Sequence, residues 1–191
     1  MREDLNSLLR RTRIVSGFIL FFYAATHLLN HSLATFSIST ADAAREYFIA
    51  FWRNPVAEIF LFASFALHIL LGVQAVLRRK SFKMTKREWL QMTFPFVALL
   101  ALIPHVLTTA ILSRMFAVTD NYELIFAATL VDPSKASKNV IFFSLMVVLI
   151  WTHGVIGIHG LLKTKPLYAR LRQTIIGFYW AVPILALVGF F

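Results

Sequence analysis

Five long apolar runs, separated by short polar and charged stretches, organise this chain. They cover about Ile14–Phe36, Pro55–Leu77, Trp89–Phe116, Val140–Leu162 and Thr174–Phe191. Each is close to or above the roughly 20 residues that a helix needs to cross a bilayer. A lone span in lipid has to satisfy its own backbone hydrogen bonds, so each run is read as a helix. Asn54 is placed as the cap of the second, with Pro55 at its first helical position. Pro95 and Pro104 fall inside the third run and Pro183 inside the fifth. Membrane helices tolerate proline but bend at it. The expected fold is an all-α integral membrane helical bundle with five transmembrane helices, four of them forming a core and the fifth peripheral.

Two linking stretches carry a pattern of their own. Ala41–Trp52 mixes small, charged and aromatic residues, and Tyr122–Leu130 is similar. Both are read as short helices in the membrane interface, closing the outer end of the bundle or covering a ligand. There is no internal repeat, low-complexity tract or Gly/Ser linker, so residues 1–191 are read as one domain.

Composition sharpens this picture. The chain is 59% hydrophobic and 15% charged, with a mean hydropathy of +0.72. A water-soluble domain carries more charge. The net charge of +10 would suit nucleic acid, but its distribution does not. Four basic residues precede the first run, six lie between the second and third, and four between the fourth and fifth, fourteen of the nineteen in all. Only Arg45, Arg53, Arg114, Lys135 and Lys138 fall on the other side. The partner is membrane lipid, not nucleic acid, and the positive-inside rule puts the N-terminus in the cytoplasm. The acidic start, Arg2-Glu3-Asp4, with no small-residue cleavage site after the first run, reads as a retained span. No polar tail follows the fifth run, so the chain is expected to be the N-terminal part of a longer protein.

All six histidines lie in or at the ends of the apolar runs: His27 and His31 in the first, His68 in the second, His105 in the third, His153 and His159 in the fourth. An ionisable group in hydrocarbon is costly and marks a functional hypothesis. His68 lies ten residues before Arg78 and His153 ten before Lys163, so both sit about 15 Å from the basic side at the α-helical rise. His105 comes out about 25 Å up, His27 about 21 Å and His31 about 27 Å. Imidazoles thus meet at two levels: the second run with the fourth, and the first with the third. Two levels of paired imidazole suit two haems, each gripped from both sides. With no Cys in the chain, covalent attachment and iron–sulfur ligation are excluded, and the haems would be b-type. Two ligands per iron leave no open position, which favours electron transfer over gas binding.

Other residues bear on the same site. Gly72 follows His68 by four residues, as Gly157 follows His153. A glycine one turn from an axial ligand leaves room for a flat macrocycle, and equally allows close helix packing. His159, with Arg78 and Arg79 at similar height, could bind haem propionates or snorkel to lipid phosphate. Whichever of His27 and His31 is not axial could hydrogen-bond a propionate or a quinone. A metal transporter or proton relay would also use imidazole, but it would add carboxylates, and no Asp or Glu lies mid-span.

Trp151-Thr152-His153-Gly154-Val155-Ile156-Gly157-Ile158-His159 resembles the H-G-x-x-G-L-Y-R motif of the dihaem cytochrome b subunits of succinate dehydrogenase and fumarate reductase. The chain departs from it at the Tyr position, which is His159, and lacks the Arg. Thr26-His27-Leu28-Leu29 is similar to the first-span motif Q-H-L-V of that family. The resemblance implies iron ligation by His27 with His105 and by His68 with His153. Over nearly the whole chain, through His27-Leu-Leu-Asn-His31-Ser, Phe51-Trp52-Arg53-Asn54-Pro55 and the His153 segment, it resembles the dihaem cytochrome b-like membrane anchors of bacterial class III adenylate cyclases.

That resemblance implies two haem b, a place in the bacterial inner membrane, and a cytoplasmic cyclase or ferredoxin-like domain, fused or associated. It also implies a redox or quinol-sensing role, with quinone as a candidate ligand and a homodimer left open. Cyclase activity would lie outside these 191 residues. The alternatives are a membrane subunit of a succinate dehydrogenase/fumarate reductase-type quinone oxidoreductase and a haem-free receptor domain.

Overall fold

The computed structural model describes residues 2–117, 121–124, 126 and 133–190. Their main helices are α1 (Arg2–Ser32), α2 (Ile38–Trp52), α3 (Pro55–Leu77), α4 (Lys86–Val106), α5 (Pro133–Leu162) and α6 (Pro166–Phe190). A 3₁₀ turn, Leu33–Thr35, joins α1 to α2. A π-helical segment, Leu107–Leu112, and one last turn, Ser113–Met115, continue α4. There is no strand among the described residues.

Five of these helices, all but α2, are long and apolar enough to cross a membrane. They turn large apolar side chains outward: Leu100 is 77% exposed and Ile59 69%. Water disfavours such a surface, and lipid accepts it.

The second run forms a helix over the expected residues. The Asn54 side chain accepts from the Val56 N–H at 3.0 Å, and Pro55 opens the first turn. The others are longer than their apolar runs. α1 starts at Arg2, not near Ile14; α5 at Pro133, not Val140; α6 at Pro166, not Thr174. Apolarity marks the lipid-buried part of a helix, while Arg, Lys, Leu and Ala carry it on into water. At α4 the start is set by a capping box. Thr85 Oγ1 accepts from the Glu88 N–H at 3.3 Å, and the Glu88 carboxylate accepts from the Thr85 N–H at 2.9 Å.

α2 is a helix across the first linking stretch, with Ser37 Oγ accepting from the Thr40 N–H at 3.0 Å. In the second stretch, Tyr122, Glu123, Leu124 and Phe126 are helical. Residues 125 and 127–130 of that stretch, and the Phe191 end of the fifth run, lie outside the described residues.

α1 is the central helix. It packs along α3 on one side and α6 on another, and α4 packs along α5. The buried core joins α1 to α5 and α6 through Ala25, Leu28, Trp151, Val182 and Ala186. Phe21 stacks on Trp151 with ring centroids 5.1 Å apart. At the far end of α6, Gly189 lets the helix lie against the His31 carbonyl and Thr35, where a Cβ would collide. The fifth span is thus part of the core packing rather than peripheral. By contrast, neither α1 with α4 nor α3 with α5 forms an extended backbone contact. Side chains bridge those two gaps.

Pro183 explains how α5 and α6 engage. Its missing N–H leaves the carbonyl of Tyr179, four residues back, without its helical partner. Trp151 Nε1–H donates to that carbonyl at 2.7 Å. Trp151→Phe should therefore cost about 1 kcal/mol beyond any packing loss. In a Pro183→Ala background the restored backbone N–H takes the carbonyl, and the same change should cost less. Thermal unfolding of the four proteins in detergent measures the difference. Equal costs in both backgrounds would refute the coupling.

Candidate functional site

α1 carries His27 and His31, α3 carries His68, α4 carries His105, and α5 carries His153 and His159. The structure brings five of them together at two levels of the bundle. At one, the rings of His68 and His153 lie 6.1 Å apart between centroids. At the other, His27 and His105 lie 6.2 Å apart. A first-row metal binds imidazole nitrogen at about 2 Å, so two imidazoles on opposite sides of one metal have centroids about 6 Å apart. Both pairs have that separation, and both span the gaps where backbones do not pack.

At the first level the ring nitrogens are assigned by what they touch. A carbonyl can only accept, so a histidine nitrogen facing one carries the proton. His153 Nδ1 faces the Gln91 carbonyl at 3.0 Å. His68 Nδ1 faces the Arg13 carbonyl at 3.1 Å, with Ser16 Oγ 3.3 Å away. Both Nδ1 atoms are therefore donors, and both Nε2 atoms keep a lone pair for a metal. Such an outer hydrogen bond also fixes ring orientation and raises ligand basicity. The Gln91 carbonyl is open for a sequence reason: its helical partner would be the N–H of residue 95, which is proline. Pro95 frees for His153 what Pro183 frees for Trp151.

The second level is arranged differently. His27 Nε2 and His31 Nε2 share a hydrogen bond of 3.2 Å, one as donor and one as acceptor. Tyr23 stacks on the His27 ring at 5.6 Å, and Tyr122 meets the His31 ring edge-on at 5.2 Å. A metal between His27 and His105 would displace the His31 contact. Depth along the helix favours His31 for this level, but ring placement puts His27 opposite His105. Above it, the Asn30 amide donates to Tyr122 Oη at 2.6 Å, and the Tyr122 N–H donates to Asp42 at 2.8 Å. Burial pushes the Tyr122 phenol up to about 12, with the Asn30 hydrogen bond acting against it.

The remaining candidates fall in varied places. A Cβ at Gly72 would meet nothing within 4 Å, so the α3 wall one turn from His68 is open. Gly157 is exposed, and a Cβ there would lie 3.3 Å from the Gln91 amide nitrogen. Gly17 was not anticipated: a Cβ there would lie 2.8 Å from the His68 ring. His159 Nδ1 shares a hydrogen bond with Tyr168 of α6 at 2.5 Å. Arg78 donates to Asn6 of α1 at 3.3 Å. The two take different partners rather than forming one cluster. Half-buried Arg87 donates to the Ile156 carbonyl of α5 at 2.8 Å, a tie between α4 and α5 that its place in a basic loop concealed.

Among the described residues, no group of three or more His, Cys, Asp or Glu is placed to hold a bare metal ion. The imidazole pairs supply two donors each. No protein-family model, curated protein or solved structure matches the chain.

Pro95→Ala gives the Gln91 carbonyl a backbone partner and should loosen His153. In ¹⁵N-histidine spectra of the purified protein, exchange of the His153 Nδ1 proton with water should quicken about tenfold, with His68 unchanged. An unaltered His153 proton would contradict the assignment.

Proposed function

We propose that this chain is a dihaem b-type membrane cytochrome that carries electrons across the bilayer, held in the bacterial inner membrane with its N-terminus in the cytoplasm. The observation that carries the reading is the 6.1 Å and 6.2 Å separation of two histidine pairs on opposed helices. His68 and His153 would hold one haem, and His27 and His105 the other. Carbonyls of Arg13 and Gln91 hold the first pair in the tautomer that leaves Nε2 free. When bound, haem clasped by two imidazoles supplies a one-electron couple with no open coordination position. The apolar helices around it exclude water and keep the rings in place. His31 is left beside His27 as a hydrogen-bonding group for a propionate or a quinone carbonyl. The resemblance to cyclase anchors supports a redox or quinol-sensing role toward a cytoplasmic cyclase or ferredoxin-like domain.

The test is haem stoichiometry. Protein expressed with excess haem should give about two haems per chain in a pyridine haemochrome assay, with a b-type reduced spectrum. His68→Ala and His153→Ala should each retain about one, the same one. His27→Ala should lose the other, and His31→Ala should keep both with a shifted midpoint potential. Wild-type protein free of haem under these conditions, or a full complement in His153→Ala, would overturn the assignment.

A further inference from the structure

The first turns of α1 and the last turns of α3 enclose a cleft of about 150 Å³. Arg10, Arg13 and Arg78 line it, together with Asn6, Gln74 and Leu71, and among the described residues no carboxylate does. Of the acids on the neighbouring helix, Glu88 caps α4 and pairs with Arg79 at 3.5 Å. Arg78 donates to the neutral Asn6 amide oxygen, at 3.3 Å. Three guanidinium groups around one concavity repel each other unless an anion joins them. Their planar forks match the oxygens of a phosphate.

The surroundings say which phosphate. Leu9, Leu71 and Ala75 line the cleft beside the arginines, and Leu70 and Leu77, on the same stretch of α3, are 66% and 79% exposed. The polar cleft therefore opens onto apolar surface, where a ligand with both a charged head and hydrocarbon chains is accommodated. We infer that this α1–α3 cleft binds the phosphate of an anionic phospholipid headgroup, with the acyl chains lying along the exposed leucines. Basic pockets between spans on the cytoplasmic side suit such headgroups. The inference does not depend on haem.

Native mass spectrometry of the full chain in a non-ionic detergent tests it, with short-chain phosphatidylglycerol, short-chain phosphatidylcholine and inorganic phosphate as probes. Phosphatidylglycerol should be retained about tenfold more strongly than phosphatidylcholine, and inorganic phosphate should not displace it at equal concentration. The Arg10→Gln/Arg78→Gln double variant should lose that preference. Arg11→Gln, outside the cleft, should keep it. If the double variant loses helical signal in circular dichroism, Arg78→Gln alone decides, with a smaller loss expected. Equal retention of the two lipids, or a preference unchanged in the variants, would overturn the site. Displacement by inorganic phosphate would overturn the lipid as its ligand.

Discussion

A carbonyl inside a lipid-embedded helix has no water to turn to, and the architecture follows from how two such carbonyls are satisfied. Pro95 and Pro183 each release one, at Gln91 and Tyr179, and α5 supplies both donors from side chains two residues apart, His153 and Trp151. α5 is thereby pinned to α4 on one side and α6 on the other. These bonds fix its rotation as well as its position, because a ring N–H reaches a carbonyl only when the helix face is right. Ring placement at His153 is thus a by-product of how the helices are joined.

The same constraint separates the two histidine levels. At one, both Nδ1 protons are committed to main-chain carbonyls, so the rings are held from behind with their centroids 6.1 Å apart. At the other, His27 and His31 satisfy one another within a single helix, and His105 meets His27 without a hydrogen bond between them in the geometry described. His105 lies just before the π-helical segment that follows Pro104. Irregular turns of this kind accumulate beside functional groups. One level is rigidly preset, and the other has a local arrangement to give up when something enters.

Much of this was legible in the sequence. The run lengths located the five long helices, and Asn54-Pro55 located one start to the residue. Counting at 1.5 Å per residue separated the histidines into levels. It could not choose between His27 and His31, because a count along the axis carries no angle between neighbouring helices. Helix ends were misplaced where charged residues continue a helix into water, as in α1 and α6. The peripheral place given to the fifth run missed Val182, Ala186 and Gly189, a stripe at i, i+4 and i+7 that faces the core but is no more apolar than the rest of the run around it. Arg87 looked like one more basic loop residue, and nothing in the sequence marked Gly17 as the residue beside the His68 ring. Pro95 was visible, and so was the carbonyl four residues before it; what no linear reading supplies is that a ring 62 positions away takes it up.

That long-distance partnership gives mutation a direction. A lineage that first exchanges Pro95 for an ordinary residue closes the ladder of α4 by itself and leaves the imidazole free to drift. A lineage that first exchanges His153 strands the Gln91 oxygen in an environment that offers nothing in return. Loss of His153 is therefore costly only while Pro95 stands: as long as the proline is there, the ring has a carbonyl to serve.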